Sequence, residues 1–483
     1  MRARRLLQVG SLASVPQFVD FATRFARTII LSRLLLPNEF GIAVAITVVV
    51  TIAELISDIG IEKFLMSRPR GDDRAALAGA HVMTLVRGIA LAAVIYAAAP
   101  ALAAIFGTGE NGAAFRWCAA IMLVRSLAHL QVAQAQRDFN YGPQAATMLT
   151  ARFVALAAVF PAVALWPDYR AMGASLIVDA AVYAAMSHGL ARSRYSLVIG
   201  DRRILRELLS YGLPLTFNGM LWAANSQADR AIVSHWIGLE ALALYAVIFN
   251  LATVPVTVIY SILNLLGMSL LARTHEAAEL RAKAYLALIW VHAVAAAAFA
   301  VGTAALLDLL VPLIYGKSYV VPPLTQPLIA LIVWMRLNRG GPNTLMLFGQ
   351  DTKPLMLGNL VLAVGLVLAV LLLPLFPRLE TMLACLLIGE TLSLVFFLYV
   401  ARNVTTASNG AVVGQLGWSF APVALAGAAA ALFSPDEWWW RILVLGVGAL
   451  VAGAQALVGI RHHLLRNGLL AAPGPEAVAT GAQ

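Results

Sequence analysis

Runs of roughly 20 mostly apolar residues, the length a helix needs to cross a bilayer, recur about 14 times along this chain. Lipid offers the backbone no hydrogen-bond partners, so only helices or closed barrels can span it. These runs are too long for barrel strands. Their spacing predicts helices at approximately 10–34, 39–65, 75–99, 112–136, 144–166, 171–190, 211–236, 241–270, 284–306, 323–348, 354–374, 380–401, 411–433 and 438–460. Of the 483 residues 61% are hydrophobic and 12% charged, where a soluble domain is about a quarter charged. The expected fold class is therefore an all-α polytopic membrane protein with about 14 transmembrane helices, and no length is left for a separate soluble domain.

The first hairpin, Gly10 to Met66, is written twice. A long apolar segment breaks at Pro37-Asn38-Glu39 and a second apolar segment follows. The stretch YGLPLTFNGMLWAANSQADRAIVSHWIGLEALALYAVIF repeats that grammar later in the chain. Similar hairpins at the head of two halves point to internal duplication, a frequent construction among transporters. Asp20, Arg24 and Arg27 lie at i, i+4 and i+7 and share one helix face, with Gln17 one turn earlier. In the second copy Asn218, Trp222, Asn225 and Asp229 form a matching stripe, with Arg230 beside them. Laying the copies over each other puts Asp20 on Trp222 and Arg27 on Asp229.

The excess of basic residues (net charge +10) sits mostly in short loops, where it sets topology rather than marking nucleic-acid binding. One set of loops carries about 20 Lys and Arg; the opposite set carries about four, Arg33, Arg170, Lys317 and Arg378. Both termini are expected on the cytoplasmic side. The basic start MRARRLLQVG lacks a small-residue cleavage site and is expected to stay as part of the first span. The expected organisation is an N-terminal lobe of helices 1–6 (1–190), a cytoplasmic connection (191–210), a C-terminal lobe of helices 7–12 (211–402), a terminal helix pair (403–467) and a disordered tail (468–483). Cys118 and Cys385 fall inside apolar runs, which favours free core thiols over a disulfide or metal site.

Nine arginines fall inside the expected spans: Arg24, Arg27, Arg87, Arg116, Arg125, Arg152, Arg230, Arg336 and Arg339. At the bilayer centre each costs about 2.5–3.5 kcal/mol even on the gentlest insertion scale. Such residues belong in an interior that is wet, paired or both. The acidic residues in the spans are fewer: Asp20, Glu54, Asp58, Asp179, Asp229 and Glu390. One reading is structural, with Arg24 pairing Asp20 and Glu54 to hold the first two helices together. Across the whole set arginine stays in excess, and a surplus of guanidinium suits an anionic guest with phosphate-like oxygens. His129, one turn from Arg125, reads as a satisfied packing residue. No metal or cofactor site and no enzyme motif is apparent. Gly316-Lys317-Ser318 resembles the end of a phosphate-binding loop, but Val311 stands where the earlier glycine is required.

The passage ILSRLLLPNEFGIAVAITVVVTIAELISDIGIEKFLMSR resembles the opening of polysaccharide-export flippases, and ADRAIVSHWIGLEALALYAVIFNLATVP resembles their mid-chain signature. Both belong to the polysaccharide branch of the multidrug/oligosaccharidyl-lipid/polysaccharide exporter superfamily. Pro37, Phe40 and Gly41 match the first turn, and Asp229-Arg230 match the acidic-basic pair of the second signature. Ser234-His235 departs from the Gly-Arg often found there. The resemblance implies two pseudo-symmetric six-helix lobes around a central cavity, working by alternating access. It implies a substrate of oligosaccharide repeat units on undecaprenyl diphosphate, moved across the bacterial inner membrane for exopolysaccharide, capsule or lipopolysaccharide O-antigen. Membrane lipids, a polysaccharide polymerase and a chain-length regulator are the implied partners. On that reading Arg24, Arg27 and Arg230 face the diphosphate, supported by Arg125, Arg152 and Arg336. Asp20, Glu54, Asp58 and Asp229 hold those arginines. Two rivals stand beside it: a cation-coupled multidrug antiporter of the same superfamily, disfavoured by the arginine surplus, and a non-transporting scaffold of an assembly complex.

Overall fold

The structure is a computed structural model that describes residues 2–57, 59–67, 73–109, 112–198, 202–274, 278–349, 353–433 and 437–459. Asp58 and the 468–483 tail lie outside the described residues, as do the side chains of Gln17, Asn218 and Trp222. Among the described residues the chain is helical, with no strand. In order the elements are α1 (Arg2–Leu34), α2 (Pro37–Ser57), α3 (Ile61–Ser67), α4 (Asp73–Phe106), α5 (Gly112–Arg125), α6 (Gln131–Gln134) with a 3₁₀ turn (Ala135–Asp138), α7 (Gly142–Leu165) and α8 (Arg170–Leu190). They continue with α9 (Arg202–Trp236), α10 (Leu239–Ala272), α11 (Ala278–Tyr315), α12 (Thr325–Phe348), α13 (Lys353–Leu372), α14 (Leu379–Val404), α15 (Asn409–Leu432) and α16 (Trp438–Gly459).

Two of the expected helices are broken. The 39–65 run ends at Ser57 and resumes at Ile61, because Gly60 adopts a left-handed backbone (φ 62°) that stops the first segment. Arg87 Nη1 caps the freed Ser57 carbonyl at 2.9 Å. The 112–136 run stops at Arg125, and Ser126–Leu130 form a turn before α6. Polar residues mark both places (Asp58, Glu62 and Lys63; Arg125, Ser126 and His129), but the apolar runs on either side read through them as single helices.

Among the described residues nine helices are long and apolar enough to span a membrane: α2, α4, α7, α10, α11 and α13–α16. The chain is a multi-pass membrane protein. The long helices that miss that standard, α1, α5, α8, α9 and α12, each carry charged or amide residues of the candidate site described below.

The chain forms two compact units. The first holds residues up to Val247 together with Ile314–Tyr319; the second holds Ile248–Leu313 and the chain from Val320 onward. In the first, α7 lies along α8, α4 along α5, α1 along α7, and α9 against both α2 and α4. Close approach of α2 to the start of α10 requires Gly41, where a Cβ would fall 2.2 Å from the Leu239 carbonyl oxygen. In the second unit α14 packs on α12 and α13, and α15 on α12 and α16. A side chain at Gly365 or Gly389 would strike the facing backbone, so these two glycines set the α13–α14 distance. Arg441 ties α16 to α11 through a two-pronged pair with Asp308 (2.6 and 2.7 Å) and a bond to the Ala305 carbonyl.

Candidate functional site

The polar face of α1 meets α7, which in turn pairs with α8, inside the first unit. Asp20 Oδ2 lies 3.0 Å from Arg24 Nε one turn away, and Asp20 Oδ1 lies 2.5 Å from Arg152 Nε of α7. Arg152 also pairs, through Nη1, with Asp179 of α8. Arg152 and Asp179 are almost fully buried, at 9% and 3% exposure. A dry ion pair of this kind stands only if neither partner is removed. Arg24 is the exposed member of the group.

Arg27, one turn beyond Arg24, is 7% exposed. Among the described residues it makes no ion pair and no side-chain hydrogen bond. It shares a gap too small for a water molecule with Thr23, Arg24, Arg152 and Leu156, and the charges of Arg24, Asp179, Arg152 and Asp20 all act on it. Two carboxylates thus pair with Arg24 and Arg152, and Arg27 is left without an ion pair among the described residues. A buried cation in that state is costly unless an anion meets it.

Glu54 does not pair with Arg24. Its carboxylate lies 2.5 Å from Arg125 Nη1, across the α2–α5 contact. This pair borders a second cavity of about 410 Å³, lined also by Glu62, Lys63, Arg87 and Tyr183. Thr84 opens into the same cavity, buried and with its hydroxyl unpaired.

Asp229 and Arg230 form a third locus. Asp229 accepts a 2.6 Å bond from the Tyr245 hydroxyl of α10 and is 6% exposed. Arg230 folds back on its own helix, donating to the Ser226 carbonyl (2.8 Å) and Gln227 Oε1 (3.2 Å). It lies 3.5 Å from Asp229 Oδ1.

The second unit has its own cluster. Glu390 of α14, 1% exposed, takes Arg336 Nε on one oxygen (2.5 Å) and Arg339 Nη1 on the other (3.2 Å). Arg336 also stacks over the Phe249 ring at 5.3 Å, and Arg339 reaches Ser393 Oγ at 3.2 Å. Nearby, Asn343 of α12 bonds to the Tyr260 hydroxyl and Thr344 to Asn264, both on α10.

Of the residues singled out from sequence, Asp20, Arg24, Arg27 and Arg152 come together. Glu54 with Arg125, and Asp229 with Arg230, occupy separate places in the same unit, and Arg336 belongs to the second unit. Asp179, Glu390 and Tyr245 complete the pairs. Only cross-helix geometry could assign those partners.

His129 packs in a ring of four aromatic side chains with His81, His188 and Tyr195. His129 Nε2 meets the Ser193 carbonyl (3.1 Å) while Nδ1 accepts from the Gln131 N–H (3.2 Å). His81 likewise uses both nitrogens, on the Ser196 carbonyl and the Leu130 N–H. Each ring thus acts once as donor and once as acceptor, which requires the neutral form. Burial pushes His129 below its ordinary value and raises Tyr195. No group of three or more His, Cys, Asp or Glu side chains suited to a metal ion occurs among the described residues.

The family described as "Polysaccharide biosynthesis protein" matches residues 30–321. None of the curated proteins matches. Among solved structures, the lipid II flippase MurJ in an inward closed conformation superposes with a TM-score of 0.69 at 10% identity, covering 93% of this chain and 98% of that one. An inward-facing multidrug resistance MATE family transporter of the MOP superfamily superposes with a TM-score of 0.54 at 14% identity, covering 87% of this chain and 99% of that one. At these identities the likeness is one of fold.

Proposed function

Because the chain belongs to the polysaccharide biosynthesis protein family, we propose that it is a flippase for oligosaccharide repeat units carried on undecaprenyl diphosphate, sited in the bacterial inner membrane with both termini cytoplasmic. The observation that carries this reading is Arg27, a buried guanidinium without an ion pair or side-chain hydrogen bond among the described residues, beside two others already committed to Asp20 and Asp179. A diphosphate supplies the missing negative charge, and its oxygens match the planar donors of Arg24 and Arg27. Asp20 orients Arg24, and the Asp179–Arg152 pair fixes the wall against which the headgroup rests. Arg336 and Arg339, both paired with Glu390, form the basic cluster of the second unit. Arg125 and Arg230 are already engaged by Glu54 and by their own helix, and act as reserves that exchange partners as the protein changes state. The six-helix lobes at 1–190 and 211–402, with the pair at 403–467, are the repeat organisation on which alternating access would act. The sugar polymer made from the product, and any polymerase or chain-length regulator that receives it, lie downstream.

The test is complementation. In a strain lacking the native gene, Arg24→Ala with Arg27→Ala at normal protein level should abolish surface glycan and accumulate the lipid-linked intermediate. Normal export would remove the site from the mechanism. Lost drug resistance with unchanged glycan would instead favour a multidrug antiporter.

A further inference from the structure

The ends of α1 and α9 perform the same task at two places in the first unit. Ser32 Oγ–H donates to the Tyr315 carbonyl (3.2 Å) and Arg33 Nε–H to the Ile314 carbonyl (2.7 Å), at the end of α11. Ser234 Oγ–H donates to the Phe106 carbonyl (2.6 Å) and the His235 Nδ1–H to the Ile105 carbonyl (2.9 Å), at the end of α4. Ser234-His235 follows Ser32-Arg33 by the same interval that separates Asp20 from Trp222, so the two dipeptides are repeat equivalents.

Their targets are equivalent too. α4 follows the hairpin of the first repeat and α11 that of the second. Each ends at an aromatic residue followed by a glycine of positive φ, Phe106-Gly107 (65°) and Tyr315-Gly316 (116°). The last carbonyls of a helix have no partner within it. Each is met here by a serine, buried at 4% or 1% exposure, and by a nitrogen donor facing the negative end of the helix dipole. The leading helix of each repeat thus caps a later helix of the other. The α11 clip is reinforced by edge-on rings, Phe25 on Tyr315 (6.1 Å) and Phe40 on Tyr319 (6.2 Å). Residues 314–319 group with α1 although the chain on both sides of them groups elsewhere.

We propose that the Ser32-Arg33 and Ser234-His235 clips are a paired latch, closed in this structure, that must part before the outer side of the protein opens. The loops beside the clips hold Arg33 and Lys317, from the set poor in positive charge, which places them outside on the topology proposed above. The direction of opening rests on that reading; the clips themselves do not. The departure from Gly-Arg at 234–235 adds a hydroxyl donor where glycine offers none, and the imidazole N–H stands in place of the guanidinium.

The full chain in lipid nanodiscs tests this with two readouts. Hydrogen exchange at the ends of α4 and α11 should rise roughly five- to tenfold when the facing clip is cut, as expected for losing hydrogen bonds of ordinary strength. Ser32→Ala with Arg33→Ala acts on α11, and Ser234→Ala with His235→Ala acts on α4. Ser32→Thr with Arg33→Lys, and His235→Asn, should restore protection, which separates the latch from general unfolding. In a Cys118→Ala, Cys385→Ala background, Thr28→Cys lies one turn inward from Ser32. Its labelling by a membrane-impermeant maleimide from the outer side should rise by a similar factor when both clips are cut. Unchanged exchange means there is no clip, and loosened ends with unchanged labelling mean that the clips are caps only; either overturns the latch. Increased labelling from the outer side without any effect on glycan export would support the latch and count against the flippase reading.

Discussion

The two units solve the same electrostatic problem differently. In each, one carboxylate is shared by two arginines: Asp20 by Arg24 and Arg152, Glu390 by Arg336 and Arg339. In the second unit the acid is the deeply buried partner, at 1% exposure, and both guanidiniums reach outward from it. In the first unit a second acid, Asp179, is buried with Arg152, and Arg27 is added without any carboxylate of its own. The second cluster is closed: every guanidinium in it touches Glu390. Each cluster has one guanidinium more than it has carboxylates, but in the first the surplus falls on Arg27, which no described carboxylate touches, and that is the difference expected between a supporting surface and a binding residue.

Removing an acid should have the largest effect. Glu390→Ala takes the one shared carboxylate from two arginines and is expected to cost about 3–5 kcal/mol, whereas Asp179→Ala leaves Arg152 with Asp20 and should cost less, each read as a lower midpoint of unfolding in detergent. An effect under about 1 kcal/mol would show that water already screens these pairs. Arg27→Ala is the contrasting case. It removes a cation that no described carboxylate touches, so the unfolding midpoint should hold or rise. Substrate binding should weaken by roughly ten- to a hundredfold, the worth of one charge-assisted hydrogen bond. A stability loss as large as that of Asp179→Ala would mean that Arg27 is structural, and the contrast between the units would collapse.

The contrast was only partly legible in the sequence. Hydropathy located the helices, and the i, i+4, i+7 spacing put Asp20, Arg24 and Arg27 on one face, where the structure keeps them. Partners could not be read, because Arg152 and Asp179 come from helices whose rotation about their own axes leaves no trace in a single sequence. Glu54, at the depth of Asp20, was a natural mate for Arg24 until the α2–α5 contact gave it to Arg125. The breaks at Gly60 and at Ser126–Leu130 lie inside the expected helices; one depends on a backbone angle and the other on bonds supplied from α4 and α8. The Ser-Arg and Ser-His clips were invisible for another reason. Their partners are carbonyl groups, which every residue has.

Smaller effects come from the histidine ring around His129 and the α16 anchor. Arg441→Ala should release α16 from α11 and cost about 2–3 kcal/mol, since Asp308 then lacks its partner; exchange rising along α16 before the rest of the second unit would show it. His129 is held below its ordinary value, so the folded state favours the neutral ring. Its contribution is full above the unfolded value of about 6.5 and falls away as pH drops below that. His81, His188 and Tyr195 face it from α4, α8 and the 191–198 segment. Exchange in 191–198, corrected for intrinsic rate, should therefore rise by about threefold between pH 7.5 and 5.5, the effect of one backbone hydrogen bond. His129→Asn should flatten that dependence.

The central claim is that Arg27 is the guanidinium reserved for a diphosphate. Its most direct test is the affinity of the purified chain for undecaprenyl diphosphate in detergent, wild type against Arg27→Ala, at matched stability. The account predicts at least about a tenfold loss for the variant, the scale of one charge-assisted contact; equal affinity would contradict it.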